Sequence, residues 1–253
     1  MGCSSRYAIY YAPEVGSALA VFSASWLGWD AQTGQPVVHP IYDELPVPVD
    51  QLTAVPRKYG FHGTLKPPFR LAYGKSVTDL HSAVGELASR QTPFKIKRLA
   101  LRSFVGGFLA LAPDENNADM AALASSCVRD LDEFRAPLDA ADLSRRRSVN
   151  LTEKQENYLT QWGYPYVFDE FRFHLTLTGK LQPETAALVR ERLQYVLSTP
   201  LSEPLCVREI CLFRENDDGQ FYILKRYPLT ALAAARPETW QRNMPAGYHS
   251  RQS

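Results

Sequence analysis

Two short segments of the chain contain a histidine followed two residues later by a threonine. They are FHGTL, at Phe61 to Leu65, and FHLTL, at Phe173 to Leu177, and they differ only in the middle residue. The imidazole pKa lies closest to neutrality among the side chains, so one histidine of a pair can act as a base while the other acts as an acid. A hydroxyl beside each imidazole can donate a hydrogen bond to an anionic oxygen. Both pairs at one point would suit phosphodiester hydrolysis or transesterification without a metal ion.

Strand periodicity groups the polar residues of each segment. Side chains alternate between the two faces of a strand, so His62, Thr64 and Lys66 are predicted to share one face of the first segment. The corresponding face of the second segment carries Arg172, His174, Thr176 and Thr178. A single strand of this kind is typical of a sheet with one wet face. Two copies at matching positions favour a shared site instead.

The elements around the two segments follow the same order. A strand and a helix precede each segment, over 6–13 and 16–27 in the first half and over 108–113 and 118–134 in the second. A helix follows each segment, over 77–89 and 183–197, and a hairpin comes next, with its turn at 106–107 or 217–219. This repeat predicts one bilobed α+β domain, with lobes at about 1–112 and 113–230 and a tail over 231–253.

One segment has no counterpart in the first half. The insert from Arg135 to Glu170 contains LSRRRS, a predicted helix near 153–161, and the string WGYPYVFD. Because it precedes the second motif directly, we expect it to lie beside that motif, and the sequence leaves open whether it closes over the cleft between the lobes.

The motifs resemble those of the two-histidine (2H) phosphoesterase superfamily. The strings YGFHGTLKPPF, at Tyr59 to Phe69, and WGYPYVFDEFRFHLTLTG, at Trp162 to Gly179, are similar to a branch associated with bacterial phosphonate-utilisation operons. The resemblance implies a bilobed, duplicated fold in which two antiparallel sheets line a central cleft and helices pack outside. It also implies a metal-independent cyclic phosphodiesterase that acts on a small cyclic phosphate or related diester and uses no cofactor.

The resemblance assigns roles by position. His62 and His174 would be the acid-base pair, in an order that the sequence leaves open, and Thr64 and Thr176 would bind the phosphate oxygens. Five further residues are candidates for substrate binding: Lys66, Tyr166, Arg172, Arg146 and Tyr59. Each has an alternative interpretation, as a solvated charge or a buried aromatic anchor. The remaining histidines, His39, His81 and His249, have no motif around them and are expected to be structural or exposed.

Composition limits the partners. The 28 Lys and Arg residues balance 27 Asp and Glu residues, which favours a small phosphorylated substrate over DNA or a membrane surface. The four cysteines form no CxxC pair, and no leader-like pattern is present, so a reduced cytoplasmic protein is expected. Three alternatives remain open: an enzyme acting on RNA ends with 2',3'-cyclic phosphates, a non-catalytic module that binds nucleotides or sugar phosphates, and a zinc enzyme. The oligomeric state is left open.

Overall fold

The structure is a computed structural model that describes residues 5–147 and 150–232. Its strands, in chain order, are β1 (Tyr7–Tyr11), β2 (Trp29–Asp30), β3 (Gln35–Pro36), β4 (Gly63–Phe69), β5 (Phe94–Ile96), β6 (Leu99–Ser103), β7 (Leu109–Pro113), β8 (Leu175–Thr176), β9 (Leu205–Val207), β10 (Glu209–Glu215) and β11 (Phe221–Pro228). Its α-helices are α1 (Ala18–Leu27), α2 (Val49–Leu52), α3 (Ala54–Arg57), α4 (Val77–Ser89), α5 (Ala118–Asp130), α6 (Ala140–Arg146), α7 (Glu153–Trp162) and α8 (Pro183–Val196). Most of the predicted tail, 233–253, lies outside the described residues.

Local capping explains where several helices begin. Ser76 and Thr152 each accept a hydrogen bond from the backbone three residues on, and the residue there bonds back, so both α4 and α7 start with a capping box. Helix α4 then buries Leu80, Val84 and Leu87 on one stripe. Both helices lie where the sequence predicted them.

A seven-stranded antiparallel sheet positions the two motifs. Its strand order is β11-β10-β1-β4-β8-β7-β6. In this order β4 corresponds to β8, β1 to β7 and β10 to β6, so the sheet has a pseudo-twofold axis between β4 and β8, with β11 added at one edge. The equivalent strands β5 and β9 pair with each other in a separate two-stranded sheet. The duplication predicted from the order of elements is therefore present in the topology.

The two halves of the chain exchange strands across this axis. Hairpin β6–β7 of the first half lies beside β8, while β10 and β11 of the second half lie beside β1. The predicted α+β class with antiparallel pairing is confirmed, but the two expected sheets are halves of one sheet, joined through the single pair Gly63–Leu175. The predicted boundary between the lobes, at residue 112, therefore does not coincide with a boundary between two sheets.

The two faces of the sheet have different cores. In β1, Ile9 and Tyr11 pack into the large core with the helices, whereas Ala8 and Tyr10 pack on the opposite face with Phe213. Tyr10 belongs to the face that carries the first histidine, since its ring stacks on the imidazole of His62. The large core packs against one side of the sheet, and the imidazoles of the motifs lie on the other.

Candidate active site

Strands β4 and β8 bring the two motifs together at one backbone pair, Gly63 with Leu175. These are the equivalent middle residues of FHGTL and FHLTL, so the pseudo-twofold axis passes between them. Because the pairing is antiparallel, His62 lies opposite Thr176 and Thr64 lies opposite His174. Opposed side chains on neighbouring strands have Cβ atoms about 4.5–5.5 Å apart. The register thus gathers two imidazoles and two hydroxyls into one alternating group.

Both imidazoles are held in the same way. The Nδ1 atom of His62 lies 2.8 Å from the carbonyl oxygen of Gly60, and Nδ1 of His174 lies 2.8 Å from that of Arg172. A carbonyl oxygen can only accept, so each Nδ1 carries a proton and donates it. In a neutral ring this leaves Nε2 unprotonated and able to accept a proton. Each histidine is therefore oriented by the backbone two residues before it.

Two glycines make this geometry fit. Gly60 has a φ of 67°, and a Cβ there would lie 2.7 Å from the Cβ of Ala31, so this turn before His62 requires glycine. Gly63 has a different reason: a Cβ would lie 2.2 Å from the Phe173 ring, which fills the space over the backbone. The two motifs differ only in their middle residue. In the first motif this residue is Gly63, because the Phe173 side chain of the second motif occupies the space that a Cβ would need.

His62 is enclosed by aromatic rings. The centroid of its ring lies 3.8 Å from that of Tyr10, with an interplanar angle of 22°, and 6.0 Å from that of Tyr59. Its Nε2 lies 3.1 Å from Thr64 Oγ1. Burial lowers the pKa of His62 to about 4, the Gly60 carbonyl opposes this shift, and a proton on His174 lowers the pKa further. His62 is therefore neutral at physiological pH.

His174 has aromatic neighbours of a different kind. Its ring centroid lies 5.0 Å from that of Phe104 and 5.9 Å from that of Phe108, both in tilted arrangements. Burial lowers the pKa of His174, and the Arg172 carbonyl acts in the opposite direction. Within the described part of the chain, its Nε2 has no hydrogen-bond partner, so this nitrogen is available to a ligand.

The insert closes one side of the cleft over these residues. His174 and Thr64 line the same cleft, together with Phe104, Tyr164, Tyr166 and Arg172. The start of the insert is pinned to the end of β4, where the amides of Ala72 and Ala136 bond to carbonyls across a short bridge. The expected position of the insert beside the second motif agrees with this arrangement.

The predicted shared face of the first motif stops at Thr64. A β-bulge shifts the register between β1 and β4, so Thr64 pairs with Tyr10 whereas Lys66 pairs with Ile9 on the other face. The Lys66 ammonium is buried 3.0 Å from the carbonyl oxygen of Val128 and 3.2 Å from Oδ1 of Asp132. Burial lowers the pKa of Lys66 to about 8, against the opposing effect of Asp132. The placement of Lys66 beside Thr64 was wrong, and its charge belongs to a buried ion pair.

Two more details of the strand prediction differ. β4 continues through Pro67 and Pro68 to Phe69 instead of ending at the prolines, because the bulge tolerates residues that lack a donor. At the other motif, Thr178 is buried, and its Oγ1 accepts from the amide of Leu109 and donates to the carbonyl of Gly179. The face that His174 and Thr176 share therefore ends at Thr176.

The other candidates lie around the cleft. Arg172 is exposed and donates to the carbonyl oxygens of Asp169 and Phe171 at 2.7 Å. Tyr166 is 41% exposed and meets Tyr164 edge-on, so its ring has a free surface in the cleft. Tyr59 stacks on Phe221 beside His62.

The three arginines of LSRRRS have different surroundings. Arg145 pairs with Asp142, and Arg147 pairs with Glu156. The Arg146 guanidinium lies over the ring of Tyr164, with Cζ 5.1 Å from its centroid. Arg146 is therefore in contact with a residue that lines the cleft.

Three aromatic residues at the site were not predicted. Tyr10, Phe104 and Phe108 surround the histidines, but each reads in sequence as an ordinary strand or turn residue. No local signal could have found them, since the site forms from strands distant in the chain.

The other described histidines lie in structural settings. His39 Nδ1 lies 3.0 Å from the carbonyl oxygen of Trp26, and His81 bonds to the hydroxyl of Tyr227. His249 lies outside the described residues. Over 5–147 and 150–232, no three His, Cys, Asp or Glu side chains are grouped so that they could hold a metal ion. In the same part of the chain, no helix has the length and apolar character needed to cross a membrane.

The chain belongs to the DUF1045 family, which is described as a protein of unknown function and whose model matches residues 64–222. A protein of Janthinobacterium sp. (strain Marseille), named ribose 1,5-bisphosphate phosphokinase PhnN, is 32% identical over 224 residues, which are 87% of this chain and 49% of that protein. A protein of the same name from Laribacter hongkongensis (strain HLHK9) is 31% identical over 239 residues, 93% of this chain and 55% of that protein. The chain thus spans about half the length of the curated relatives it matches.

Solved structures with a similar arrangement are more distant. The crystal structure of E. coli LigT complexed with 3'-AMP has a TM-score of 0.42 and 14% identity, over 90% of this chain and 100% of that chain. The crystal structure of TT0787 of Thermus thermophilus has a TM-score of 0.44 and 17% identity, over 89% of this chain and 98% of that chain.

Proposed function

We propose that this protein is a phosphodiesterase that opens a small cyclic phosphate or related diester between His62 and His174. The observation that carries the proposal is the register at Gly63–Leu175, which alternates the two imidazoles with Thr64 and Thr176. The tautomers support it, because both rings donate Nδ1–H to a backbone carbonyl, so Nε2 is the nitrogen that can transfer a proton to or from the substrate. A phosphate between them would meet a base, an acid and two hydroxyls.

The surroundings favour different roles for the two histidines. Burial lowers the pKa of His62 to about 4, and a proton on His174 lowers it further, so this proposal places the first proton taken up by the pair on His174. His62, stacked on Tyr10, stays neutral and is the base in this proposal. His174, with a free Nε2 in the cleft, is the acid.

The reaction then follows in one displacement. A water oxygen attacks phosphorus, and its proton passes to Nε2 of His62 as the bond to the ester oxygen breaks. The departing oxygen takes the proton from Nε2 of His174, so the product is a phosphomonoester with a free hydroxyl. The Thr64 hydroxyl, which bonds to Nε2 of His62 in the free protein, turns to a non-bridging oxygen when the substrate binds, and Thr176 donates to the other. The negative charge on these oxygens grows in the transition state. The pair ends with its protons exchanged and resets through solvent.

The substrate class draws on the relatives. Their name identifies a ribose that carries two phosphates as a substrate of those proteins. A cyclic diester of a phosphorylated ribose would give such a bisphosphate when water opens the ring. We propose this class of substrate for the present chain, within phosphonate utilisation as the motifs imply.

The experiment is a substrate panel assayed with the full chain. It would contain 2',3'-cyclic nucleotides, ribose cyclic phosphates with and without a further phosphate, and short RNAs with cyclic ends, each followed by phosphorus NMR with and without a chelator. We expect ring opening of the ribose cyclic phosphates, with the same rate in both conditions. Turnover restricted to long RNA would support the RNA-end alternative. Activity lost with chelator and restored by zinc or manganese would contradict the proposed mechanism.

A further inference from the structure

Arg146 is a cation with an unsatisfied donor beside the cleft. Its Nε is buried and has no hydrogen-bond partner in the described part of the chain. A buried donor left unpaired destabilises the fold, and more so when it is charged. Such a group in a native structure calls for an explanation, and a ligand that supplies the acceptor is one.

The charges around Arg146 leave an excess of positive charge. A small cavity beside it is also lined by Arg6, Arg70 and Arg145. Each of these three has a carboxylate partner: Glu215 for Arg6, Asp142 and Asp139 for Arg70, and Asp142 for Arg145. The four guanidinium groups around this cavity thus outnumber the three carboxylates, which pair with Arg6, Arg70 and Arg145. Arg146 has no such partner among the described residues, so an anion near it would be attracted and not repelled.

The position of Arg146 relates it to the histidines. Tyr164, whose ring its guanidinium covers, lines the same cleft as Thr64 and His174. Tyr59, whose ring lies 6.0 Å from that of His62, is also close enough to Arg146 to interact with it electrostatically. Burial lowers the pKa of Arg146. The guanidinium therefore sits at the edge of the site, past the aromatic residues that flank His62.

We propose that Arg146 binds a second phosphate of the substrate, one that the histidines do not open, and so selects phosphorylated ribose diesters over those that lack this group. The planar fork of a guanidinium donates two parallel hydrogen bonds to a phosphate, which a lysine cannot reproduce. Binding would also pair the buried donor. This inference rests on the proposed function for the identity of the reacting group, but the anion site itself is argued from Arg146 and its neighbours.

The kinetic test compares two cyclic diesters that differ only in the second phosphate. Hydrogen bonds to a charged group contribute about 1.5–3 kcal/mol, so Arg146→Gln should raise KM for the phosphorylated diester roughly 10- to 150-fold. The diester without that phosphate should change less than about threefold. Arg146→Lys should recover part of the loss, since it keeps the charge but not the fork. The matched control is Arg147→Gln, because Arg147 is half-exposed and already paired with Glu156.

A binding measurement separates this inference from the proposed function. Calorimetry with ribose 1,5-bisphosphate and ribose 1-phosphate requires no turnover, and we expect Arg146→Gln to weaken only the bisphosphate. That result supports the site even if no diester is hydrolysed. Equal losses for both ligands, with an unchanged Tm, would show that Arg146 shapes the cleft generally and would overturn the proposal. Unchanged binding of both would also overturn it.

Discussion

The two histidine motifs have the same local geometry but different surroundings. In each, the imidazole donates Nδ1–H to the carbonyl two residues earlier. His62, however, stacks on Tyr10 and contacts Thr64, whereas His174 meets the tilted rings of Phe104 and Phe108 next to the insert. In the proposed mechanism, this difference lets a duplicated motif supply two distinct functions: the repeat places two equal groups at one point, and unrepeated neighbours give them unequal proton affinities.

The largest expected effect is the loss of either imidazole. His62→Ala and His174→Ala should each lower kcat/KM by about 10² to 10⁴, because each removes one proton transfer. The double variant should be little worse than either single variant, since the two residues act as one unit. Steady-state rates on the best substrate of the panel measure this, and His81→Gln, on α4, is the control. Additive losses would mean that the histidines do not act in the same step.

A good leaving group distinguishes the two histidines. A 4-nitrophenyl phosphodiester releases a stable anion, so it needs no acid but still needs a base. His174→Ala should therefore recover about 10² of its loss on this substrate, whereas His62→Ala should remain impaired. The ratio of rates on the two substrates measures the recovery. Recovery of the His62 variant instead would reverse the assignment of acid and base.

Replacement of either threonine should lower the activity by a smaller factor than replacement of a histidine. Thr64→Val and Thr176→Val each delete one hydrogen bond to a charged oxygen, which predicts losses of about 10- to 100-fold in kcat. The loss at Thr64 should be the larger, because its Oγ1 also lies 3.1 Å from Nε2 of His62. The exposed Thr33, which bonds to Asp30, provides the control Thr33→Val. Equal losses at both positions would indicate that the contact with His62 has no role.

The pH profile tests the unequal proton affinities. His62 as base is active above its pKa of about 4, and His174 as acid is active below its pKa, which burial lowers from 6.5. The plot of kcat/KM should therefore peak between about 4 and 6.5 and fall about tenfold per unit above the alkaline limb, with both limbs belonging to the coupled pair. The bell for kcat should lie at higher pH, since a bound anion stabilises imidazolium. A kcat/KM optimum above pH 7 would contradict this description.

The smallest effect concerns the middle residues of the motifs. Gly63→Ala should displace the Phe173 ring and lower the free energy of unfolding by about 1–3 kcal/mol, with a few-fold loss of kcat because His174 follows Phe173 directly. Gly85→Ala, in α4, is a matched control: its Cβ would lie 3.7 Å from the Tyr227 ring, an ordinary contact, so the helix should become about 0.5–1 kcal/mol more stable. Urea denaturation measures both. A harmless Gly63→Ala would show that the two motifs pack less tightly than the register implies.

Much of the architecture could be predicted from local sequence. Helices α4 and α7 begin at capping boxes. A capping box joins residues three apart in the chain, so it can be recognised from the sequence alone. The order of elements around His62 and His174 likewise indicates a duplication. The sequence could not show that the halves exchange hairpins, because strand partners depend on contacts between residues that lie far apart in the chain.

The same distinction applies within the site. The sequence by itself determined the two His-x-Thr pairs and their common face as far as Thr64 and Thr176, because alternation is a property of the strand. Only the tertiary structure decided that the Lys66 side chain points away from the face of His62 and Thr64. A bulge against β1 shifts the register, and the ammonium pairs with Asp132, 66 residues later in the chain. Only the tertiary structure decided which arginine of LSRRRS lies over the ring of Tyr164, a residue of the cleft, because carboxylates elsewhere in the fold pair with Arg145 and Arg147. The sequence specifies the charge of a side chain, but the packing of the fold determines which residue pairs with it.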